Sequence, residues 1–325
     1  MRYAAHGLLI ESDYPLPMYP SATPGDPDIV VHRGSPRGIP EEDRPGSEQL
    51  ALAEAPDGRV FYSFTADADG VTLRYPGLCL MRADAEIGSV RVHADGQADE
   101  GLIPVLIAGS VVSLHLIMRG RLALHASAVD ISGQALALVG MSGMGKSTTA
   151  TLLALAGHPL VTDDVLRVEF PADGDVVVHR GGLESRLRES ASGLANGTPA
   201  RRTSDGRWAV DLPMTDRPLL PLAACVVPRP SRTADHVSLH QLSPAASMTT
   251  LLRFPRLSGW TQPRRLAEQF TLVGDLAARV PVVVAELPWG PPFDPSIASG
   301  LRAALEEKGI LGTTHGSANK LDSAQ

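Results

Sequence analysis

The residues with the clearest chemical potential lie in the loop at positions 140–148, whose sequence GMSGMGKST matches the phosphate-binding pattern G-x-x-x-x-G-K-[ST]. Glycines let backbone N–H groups surround a polyphosphate, and the helix that follows adds its positive end. Lys146 would reach the β- and γ-phosphates, and the Ser147 hydroxyl would bind Mg²⁺. An accidental glycine-rich turn is the alternative. The residues expected to bind the nucleotide are Gly140, Met141, Ser142, Gly143, Met144, Gly145, Lys146, Ser147 and Thr148.

Two adjacent carboxylates, Asp163 and Asp164, end the apolar stretch 160–165. In open α/β sheets, ligands bind at the carboxyl ends of strands, so this position suits a site beside the loop. One carboxylate would hold or orient Mg²⁺, and the other could accept a proton from an attacking hydroxyl. Because successive residues of a strand point to opposite faces, the two are expected to have different tasks. A turn or helix-cap pair is the alternative.

A histidine, His125, lies in the middle of the apolar stretch 122–131, which is predicted to be a strand running into the loop strand. In isolation the favoured interpretation is a core imidazole with satisfied hydrogen bonds. A buried imidazole must still find partners for its ring nitrogens, so its neighbours matter.

The flanks of the loop supply the strand and the helix that the mechanism requires. Positions 134–139 form an apolar strand, and 147–156, closed by Gly157, form a helix. Further strands are predicted at 207–212, 222–227 and 280–287, and further helices at 244–254, 263–279 and 295–308. The pattern predicts an α/β (α+β) core.

The first part of the chain has a different character. Strand-like stretches at 7–12, 59–64, 71–75 and 89–93 are separated by Gly- and Pro-rich turns, which predicts a β-rich meander without a catalytic motif. We expect a β-rich N-terminal domain at 1–104, a P-loop domain at 105–312 and a disordered tail at 313–325. The apolar stretch 105–118 is interpreted as a buried helix rather than a membrane span.

Composition excludes some classes of function. The net charge of −7 argues against a protein whose main partner is nucleic acid, because such binding depends on neutralising phosphates. The two cysteines, Cys79 and Cys225, lack metal-ligand spacing and predict reduced thiols. The start of the chain shows no targeting pattern, so we expect a cytoplasmic protein that does not enter a membrane.

The order of these motifs resembles the HPr kinase/phosphorylase family. That family has a histidine strand, a Ser-Gly-x-Gly-Lys-Ser loop and a Gly-His…Asp-Asp segment, which correspond here to HASAV from His125, the loop at 140–149, and GHPLVTDD from Gly157. The resemblance covers about 106–300. The segments 116–125 and 7–17 also resemble the broader HPr-kinase-like group, which includes kinases found beside lasso-peptide biosynthesis proteins.

The resemblance implies a P-loop kinase core of the HPr-kinase C-terminal type that phosphorylates a serine of a peptide or protein with ATP and Mg²⁺. By position, Lys146 contacts the phosphates, Ser147 binds Mg²⁺ and Asp164 takes the proton from the acceptor. It also implies that His125 supports Asp164, and that Asp163, with Glu189 further along, lies on the metal side. Family members tend to form oligomers, so a homo-oligomer is expected.

The sequence departs from the family at one informative point. In the HPr kinases an Arg-Gly motif of the dephosphorylation machinery follows a metal-binding carboxylate, whereas here Arg180-Gly181 precedes Glu184 and Glu189. Phosphorylase activity is therefore not expected. HPr is also a poor substrate candidate, because the N-terminal half differs. A lasso-type precursor peptide and a small hydroxylated metabolite both remain open as acceptors, as does a P-loop ATPase or nucleotide switch without an acceptor.

An arginine-rich stretch follows these motifs. It is interpreted either as a solvated loop or as a segment that binds the acceptor or clamps phosphate. Its arginines are Arg180, Arg186, Arg188, Arg201 and Arg202.

Overall fold

The computed structural model describes residues 1–55 and 57–312, and the tail 313–325 that was expected to be disordered lies outside the described residues. The first part of the chain is a nine-stranded sheet. Its strands are β1 Arg2–Ala5, β2 Leu8–Ser12, β3 Tyr19–Pro20, β4 Ile29–Arg33, β5 Glu48–Glu54, β6 Val60–Asp67, β7 Gly70–Tyr75, β8 Cys79–Ala83 and β9 Ser89–Ala94.

The N-terminal sheet has the order β3-β1-β2-β4-β9-β8-β7-β6-β5. Strands β5 to β9 form an antiparallel meander, as predicted. For the rest of this sheet the prediction of a meander was wrong, because β4 pairs in parallel with both β2 and β9. Parallel pairing needs a crossover, which the proline-rich segment between β2 and β4 supplies for one pair and the chain through β5 to β8 supplies for the other.

One long apolar helix, Glu100–Met118, packs against this sheet. It consists of a 3-10 turn at Glu100–Leu102, helix α1 at Ile103–Leu106, a π-helical segment at Ile107–Val111 and helix α2 at Val112–Met118. Its length and composition alone would permit a membrane crossing, but 61% of its most apolar window is buried inside the protein. The helix contributes Ile107, Val111 and Leu114 to the same core as the N-terminal sheet. The domain boundary between residues 104 and 105 stays a prediction.

The rest of the chain builds a second sheet with helices on both faces. The strands of this part of the chain are β10 Leu122–Leu124, β11 Ala126–Ile131, β12 Gln134–Val139, β13 Leu160–Thr162, β14 Leu166–Glu169, β15 Val177–His179, β16 Glu184–Leu187, β17 Ala200–Arg202, β18 Trp208–Asp211, β19 Leu219–Ser231, β20 Ser238–Gln241 and β21 Val282–Pro288, and all but β16, β17 and β18 belong to this second sheet. Its helices are α3 Lys146–Leu155, α4 Pro244–Leu251, α5 Pro263–Arg279 and α6 Ser296–Glu307.

The loop strand β12 lies inside this sheet, between β11 and β19, and β19 runs parallel to both β12 and β21. Side chains of β12 alternate between two cores. Ala137 and Val139 pack in the core that α4 and α5 cover, whereas Leu136 and Leu138 pack in the core that α3 and α6 cover. Burial on both faces explains the continuous apolar run of β12. The α/β fold class is confirmed.

Strands β16, β17 and β18 form a separate three-stranded sheet beside α3. Another difference from the prediction is at His125, which separates β10 from β11 instead of lying within one strand. Strand β10 pairs with β14, whereas β11 pairs with β12 and β13. The chain changes neighbours at His125, whose backbone N–H donates to the carbonyl of Phe254 (3.0 Å).

Candidate active site

The phosphate-binding loop lies between β12 and α3, where its glycines adopt conformations that other residues rarely reach. Gly143 and Gly145 have φ angles of 92° and 89°, so the loop depends on glycine at both positions. Lys146 opens α3 and is 5% exposed, and its Nζ donates to the carbonyl of Met141 at 3.1 Å. Burial lowers the pKa of the Lys146 amine to about 8, although the nearby carboxylates oppose this effect.

Asp163 accepts hydrogen bonds from neutral donors on three elements. Its Oδ1 accepts from the hydroxyls of Ser127 on β11 and Ser147 on α3, the latter at 3.0 Å. Its Oδ2 accepts from the backbone N–H of Arg186 at 2.9 Å and from the hydroxyl of Ser185 at 3.3 Å. These donors fix the carboxylate beside the loop without neutralising its charge.

Asp164 occupies a tight turn between β13 and β14. The N–H of Val165 donates to the carbonyl of Asp163 at 3.1 Å, and Asp164 between them has a φ of 77°. A three-residue turn with positive φ at its centre is rare and strained. Such conformations persist where the surrounding structure enforces them, and they are frequent at functional sites.

Two basic side chains, His125 and Arg256, flank the Asp164 carboxylate. His125 Nδ1 lies 3.1 Å from Oδ1, and Arg256 Nη2 donates to Oδ2 at 2.6 Å. Burial of the carboxyl opposes its ionisation, but Arg256 and His125 outweigh this and hold the pKa of Asp164 well below its usual value. Asp164 is therefore ionised near neutral pH.

The π-helical segment of the apolar helix makes room for this ion pair. A Cβ added to Gly109 would collide with Nη2 of Arg256 and lie 3.2 Å from Oδ2 of Asp164. Segments of π-helix are rare, and they are frequent at functional sites. The apolar helix thus comes close to Asp164 and Arg256 at a glycine.

An open cavity of about 670 Å³ joins the loop to both carboxylates. Arg186, Arg188 and Arg207 line it together with Lys146. Arg188 Nη2 donates to the hydroxyl of Ser142 in the loop at 2.9 Å. Several cations around a phosphate-binding loop suit a polyanionic ligand.

A second, more apolar pocket adjoins the same loop. It shares Gly143, Gly145 and Thr148 with the first cavity. Its far wall contains Trp289, which is 51% exposed, and Phe293. An exposed aromatic ring beside a phosphate site is suited to a flat, apolar group attached to the phosphates.

The structure does not bring every predicted residue to this site. The carboxylate of Glu189 is turned away from the cluster and accepts from Trp208 Nε1 at 3.0 Å. It is 65% exposed and lies 3.9 Å from Arg202. Its metal-binding role stays a prediction, which this geometry does not favour. Of the arginine-rich stretch, Arg201 and Arg202 are exposed on β17.

Of the predicted metal ligands, Ser147 and Asp163 fit a magnesium ion that is held mainly by a bound nucleotide. Within residues 1–55 and 57–312, no group of three or more His, Cys, Asp and Glu side chains could hold a metal ion without other ligands. Ser147 and Asp163 place a hydroxyl and a carboxylate oxygen 3.0 Å apart. Mg²⁺ in nucleotide sites typically takes one or two protein ligands and completes its shell with phosphate oxygens and water.

Sequence reasoning missed Ser127, Arg207 and Arg256. Ser127 lies two residues after His125, so strand periodicity could have placed both side chains on one face. Arg256 belongs to no motif, and it is 92 positions from Asp164 in sequence.

Comparisons with known proteins agree with the predicted resemblance over a short segment. The chain is 37% identical over 57 residues to the HPr kinase/phosphorylase of Lachnoclostridium phytofermentans, which is 18% of each chain. It is 44% identical over 54 residues to that of Clostridium beijerinckii, covering 17% of this chain and 18% of the relative. Similarity to HPr kinase/phosphorylase is therefore confirmed, but this chain spans less than a fifth of the length of these relatives. No family model matches the chain.

A solved structure, the HPr(Ser) kinase/phosphatase from Coxiella burnetii, matches 58% of this chain and 96% of its own length, with 10% identity and a TM-score of 0.29.

Proposed function

We propose that this protein is a kinase that transfers the γ-phosphoryl group of Mg·ATP to a hydroxyl, most simply the hydroxyl of a serine in a peptide or protein. The observation that carries this proposal is an ionised carboxylate, Asp164, held by His125 and Arg256 in the cavity of the phosphate-binding loop. A nucleotide switch that transfers no phosphate has no need for a carboxylate positioned in this way, whereas an ATPase would use it to orient water, so the acceptor decides between a kinase and an ATPase. The short similarity to HPr kinase/phosphorylases supports the same reaction class.

Each side chain of the site has a part in this reaction. The backbone of the loop and Lys146 bind the β- and γ-phosphates, and Arg188 and Arg207 add positive charge at the mouth of the cavity. Asp163 and Ser147 hold Mg²⁺, which when bound neutralises charge on the β- and γ-phosphates. The apolar pocket at Trp289 receives the nucleobase.

The transfer requires little covalent chemistry from the protein. The acceptor oxygen forms a bond to the γ-phosphorus while the bond from that phosphorus to the β,γ-bridging oxygen breaks, and ADP leaves. The proton of the acceptor hydroxyl passes to the Asp164 carboxylate and then to solvent. A carboxylate with a lowered pKa is a weak base, so we propose that Asp164 mainly orients the hydroxyl, as expected for a loose phosphoryl-transfer transition state.

The experiment that tests the proposal is transfer of label from γ-labelled ATP with Mg²⁺. Serine-containing peptides and small hydroxylated metabolites serve as acceptors, and products are followed by mass. Label on an acceptor supports the kinase. Release of label only as free phosphate with every acceptor would instead favour an ATPase or a switch.

The nucleobase position has its own test. Trp289→Ala should weaken ATP binding roughly tenfold, because stacking on an aromatic ring contributes about 1–3 kcal/mol per base. Binding of tripolyphosphate, which has no base, should not change. Equal loss for both ligands would contradict the assignment of the base to this pocket.

A further inference from the structure

A third cavity reaches the carboxylate pair from the opposite side. It contains open space of about 450 Å³ between the N-terminal sheet, the apolar helix and β16. It shares Asp163, Asp164 and Arg186 with the cavity of about 670 Å³ at the phosphate-binding loop, which is called the phosphate cavity below. The two cavities therefore meet at the carboxylates, with the phosphate-binding loop on one side only.

The tip of the β1–β2 hairpin forms one wall of this third cavity. His6 and Gly7 both have positive φ angles, 55° and 67°, as in the tight turns that join two strands. Residues of the second part of the chain hold the backbone of the hairpin tip. The N–H of His6 donates to the carbonyl of Arg180 (2.7 Å), and Arg167 Nη1 donates to the carbonyl of His6 (2.7 Å). The position of His6 is thus fixed by residues of the kinase core.

The side chain of His6 is buried without a hydrogen-bond partner for one ring nitrogen. It is 2% exposed, and within the described part of the chain its Nδ1 has no partner. Leaving a buried polar atom unpaired costs about 1–3 kcal/mol, so native proteins rarely retain one without a reason. Burial lowers the pKa of His6 to about 3, so the ring is neutral, with one nitrogen that donates and one that accepts.

The other walls are largely apolar and leave little width. They include Pro17 and Met18 from the N-terminal part of the chain, and Val105 and Ala108 from the apolar helix. The charged side chains Glu184 and Arg186 are already paired, with Arg201 and Asp205 respectively. A slim, uncharged group therefore fits the cavity better than an anion or a cation.

We propose that this third cavity is the acceptor pocket, which takes a primary hydroxyl on a slim uncharged carrier and binds that carrier through His6 Nδ1. The inference rests on the proposed kinase function and assigns the N-terminal hairpin a part in acceptor binding. A hydroxyl placed there meets Asp164 from the side opposite the loop. A serine side chain and a small polyol share this chemistry, and the experiment separates them.

The test uses substitutions that narrow the acceptor pocket at residues that do not line the phosphate cavity. Ala108→Leu fills it, and Val105→Phe fills it from the same helix one turn earlier. Ala245→Leu makes the same change as the first variant at an exposed position of α4 and serves as the control. The probes are N-acetylserinamide for the peptide source, glycerol for the polyol source, and water, whose phosphorylation is ATP hydrolysis.

We expect both pocket variants to bind ATP as wild type does, which also shows that they are folded. They should transfer phosphate to the accepted probe at least tenfold more slowly, whereas Ala245→Leu should not differ from wild type. Transfer to N-acetylserinamide alone identifies a peptide acceptor, and transfer to glycerol alone identifies a polyol. Unchanged transfer to the accepted probe in both pocket variants overturns the assignment. If wild type binds ATP but labels neither organic probe, whether or not it releases label as free phosphate, the proposed function itself fails.

The contribution of His6 is tested with His6→Asn, because Asn tolerates the positive φ of the turn and is too short to replace the ring. The expected result is a rise in KM for the accepted probe of about five- to tenfold, the size of one hydrogen bond, with kcat and the Kd of ATP little changed. A purely structural role would lower stability or kcat and leave KM alone. That outcome would remove His6 from the proposal.

Discussion

Asp163 and Asp164 are neighbours in sequence, yet the fold gives them opposite surroundings. Asp163 accepts from hydroxyls and one backbone N–H, all of them neutral donors. Asp164 lies against Arg256 and His125. The strained turn between β13 and β14 separates the two side chains, so each meets a different part of the molecule.

The difference teaches how one dipeptide can perform two tasks. Neutral donors fix the Asp163 carboxylate but leave its charge free to attract a cation. The charge of Asp164 is already balanced by a guanidinium, so this carboxylate has little to offer a metal ion and is free to accept a hydrogen bond from a hydroxyl. Environment rather than residue type therefore assigns the roles, and the following substitutions should separate them.

The largest effect is expected for Asp164→Asn. Losing the carboxylate that is proposed to orient the acceptor hydroxyl should lower kcat for phosphoryl transfer about 10²- to 10⁴-fold while the Kd of Mg·ATP hardly changes. Calorimetry for nucleotide binding and label transfer for turnover measure the two quantities. Asp173→Asn, at an exposed site, is the control. Turnover equal to wild type would exclude Asp164 as the group that meets the acceptor.

Asp163→Asn should have the complementary effect. The amide keeps the shape of the side chain but loses the charge that attracts the cation, so the Mg²⁺ concentration for half-maximal activity should rise about 10- to 100-fold. Saturating Mg²⁺ should restore part of the activity, which it should not do for Asp164→Asn. If both variants respond to Mg²⁺ alike, the division of roles between the carboxylates is wrong.

The parts of the site that are local in sequence were predictable. The loop, its flanking strand and helix, and the carboxylate pair lie within about thirty residues, and their spacing carries the chemistry. Ser127 was within reach, because the predicted strand at 122–131 would place it on the same face as His125. The break between β10 and β11 at His125 could not be predicted. It depends on a hydrogen bond to Phe254, which is far along the chain.

The contact between Arg256 and Asp164 and the hairpin tip at His6 depend on tertiary packing that no local pattern reveals. Arg256 lies in a connection between α4 and α5 without a motif. Glu189 shows the opposite problem, since its distance from the loop in sequence suited a metal ligand but its carboxylate contacts Trp208. Contacts at long sequence separation decide which polar residues reach a site.

A smaller effect, with a characteristic pH dependence, is expected for Arg256→Ala. Loss of the guanidinium should raise the pKa of Asp164, because the attraction that favours its ionised form is removed. In the proposed mechanism turnover needs the ionised Asp164 carboxylate, so activity should fall as pH decreases through the raised pKa, whereas wild type should stay active to lower pH. We expect about a tenfold loss near neutral pH from poorer positioning.

The profile of kcat against pH from 4.5 to 8 measures this effect for Arg256→Ala. Arg253→Ala, exposed on the same segment, is the control and should keep the wild-type profile. A profile unchanged in shape would show that Arg256 does not govern the ionisation of Asp164.

The smallest effect is expected for Gly109→Ala, which tests whether the apolar helix controls the environment of Asp164. The new Cβ would displace Nη2 of Arg256, and because a guanidinium lies on a flexible stem it can move aside at a cost of about 1–2 kcal/mol. Turnover should fall severalfold, with a pH profile shifted in the direction of Arg256→Ala. Gly38→Ala, where an added Cβ meets no atom within 4 Å, is the control. In the double variant Gly109→Ala/Arg256→Ala the glycine substitution should add nothing to the loss, because the side chain it displaces is gone. Additive losses would mean that Gly109 acts on the site by another route.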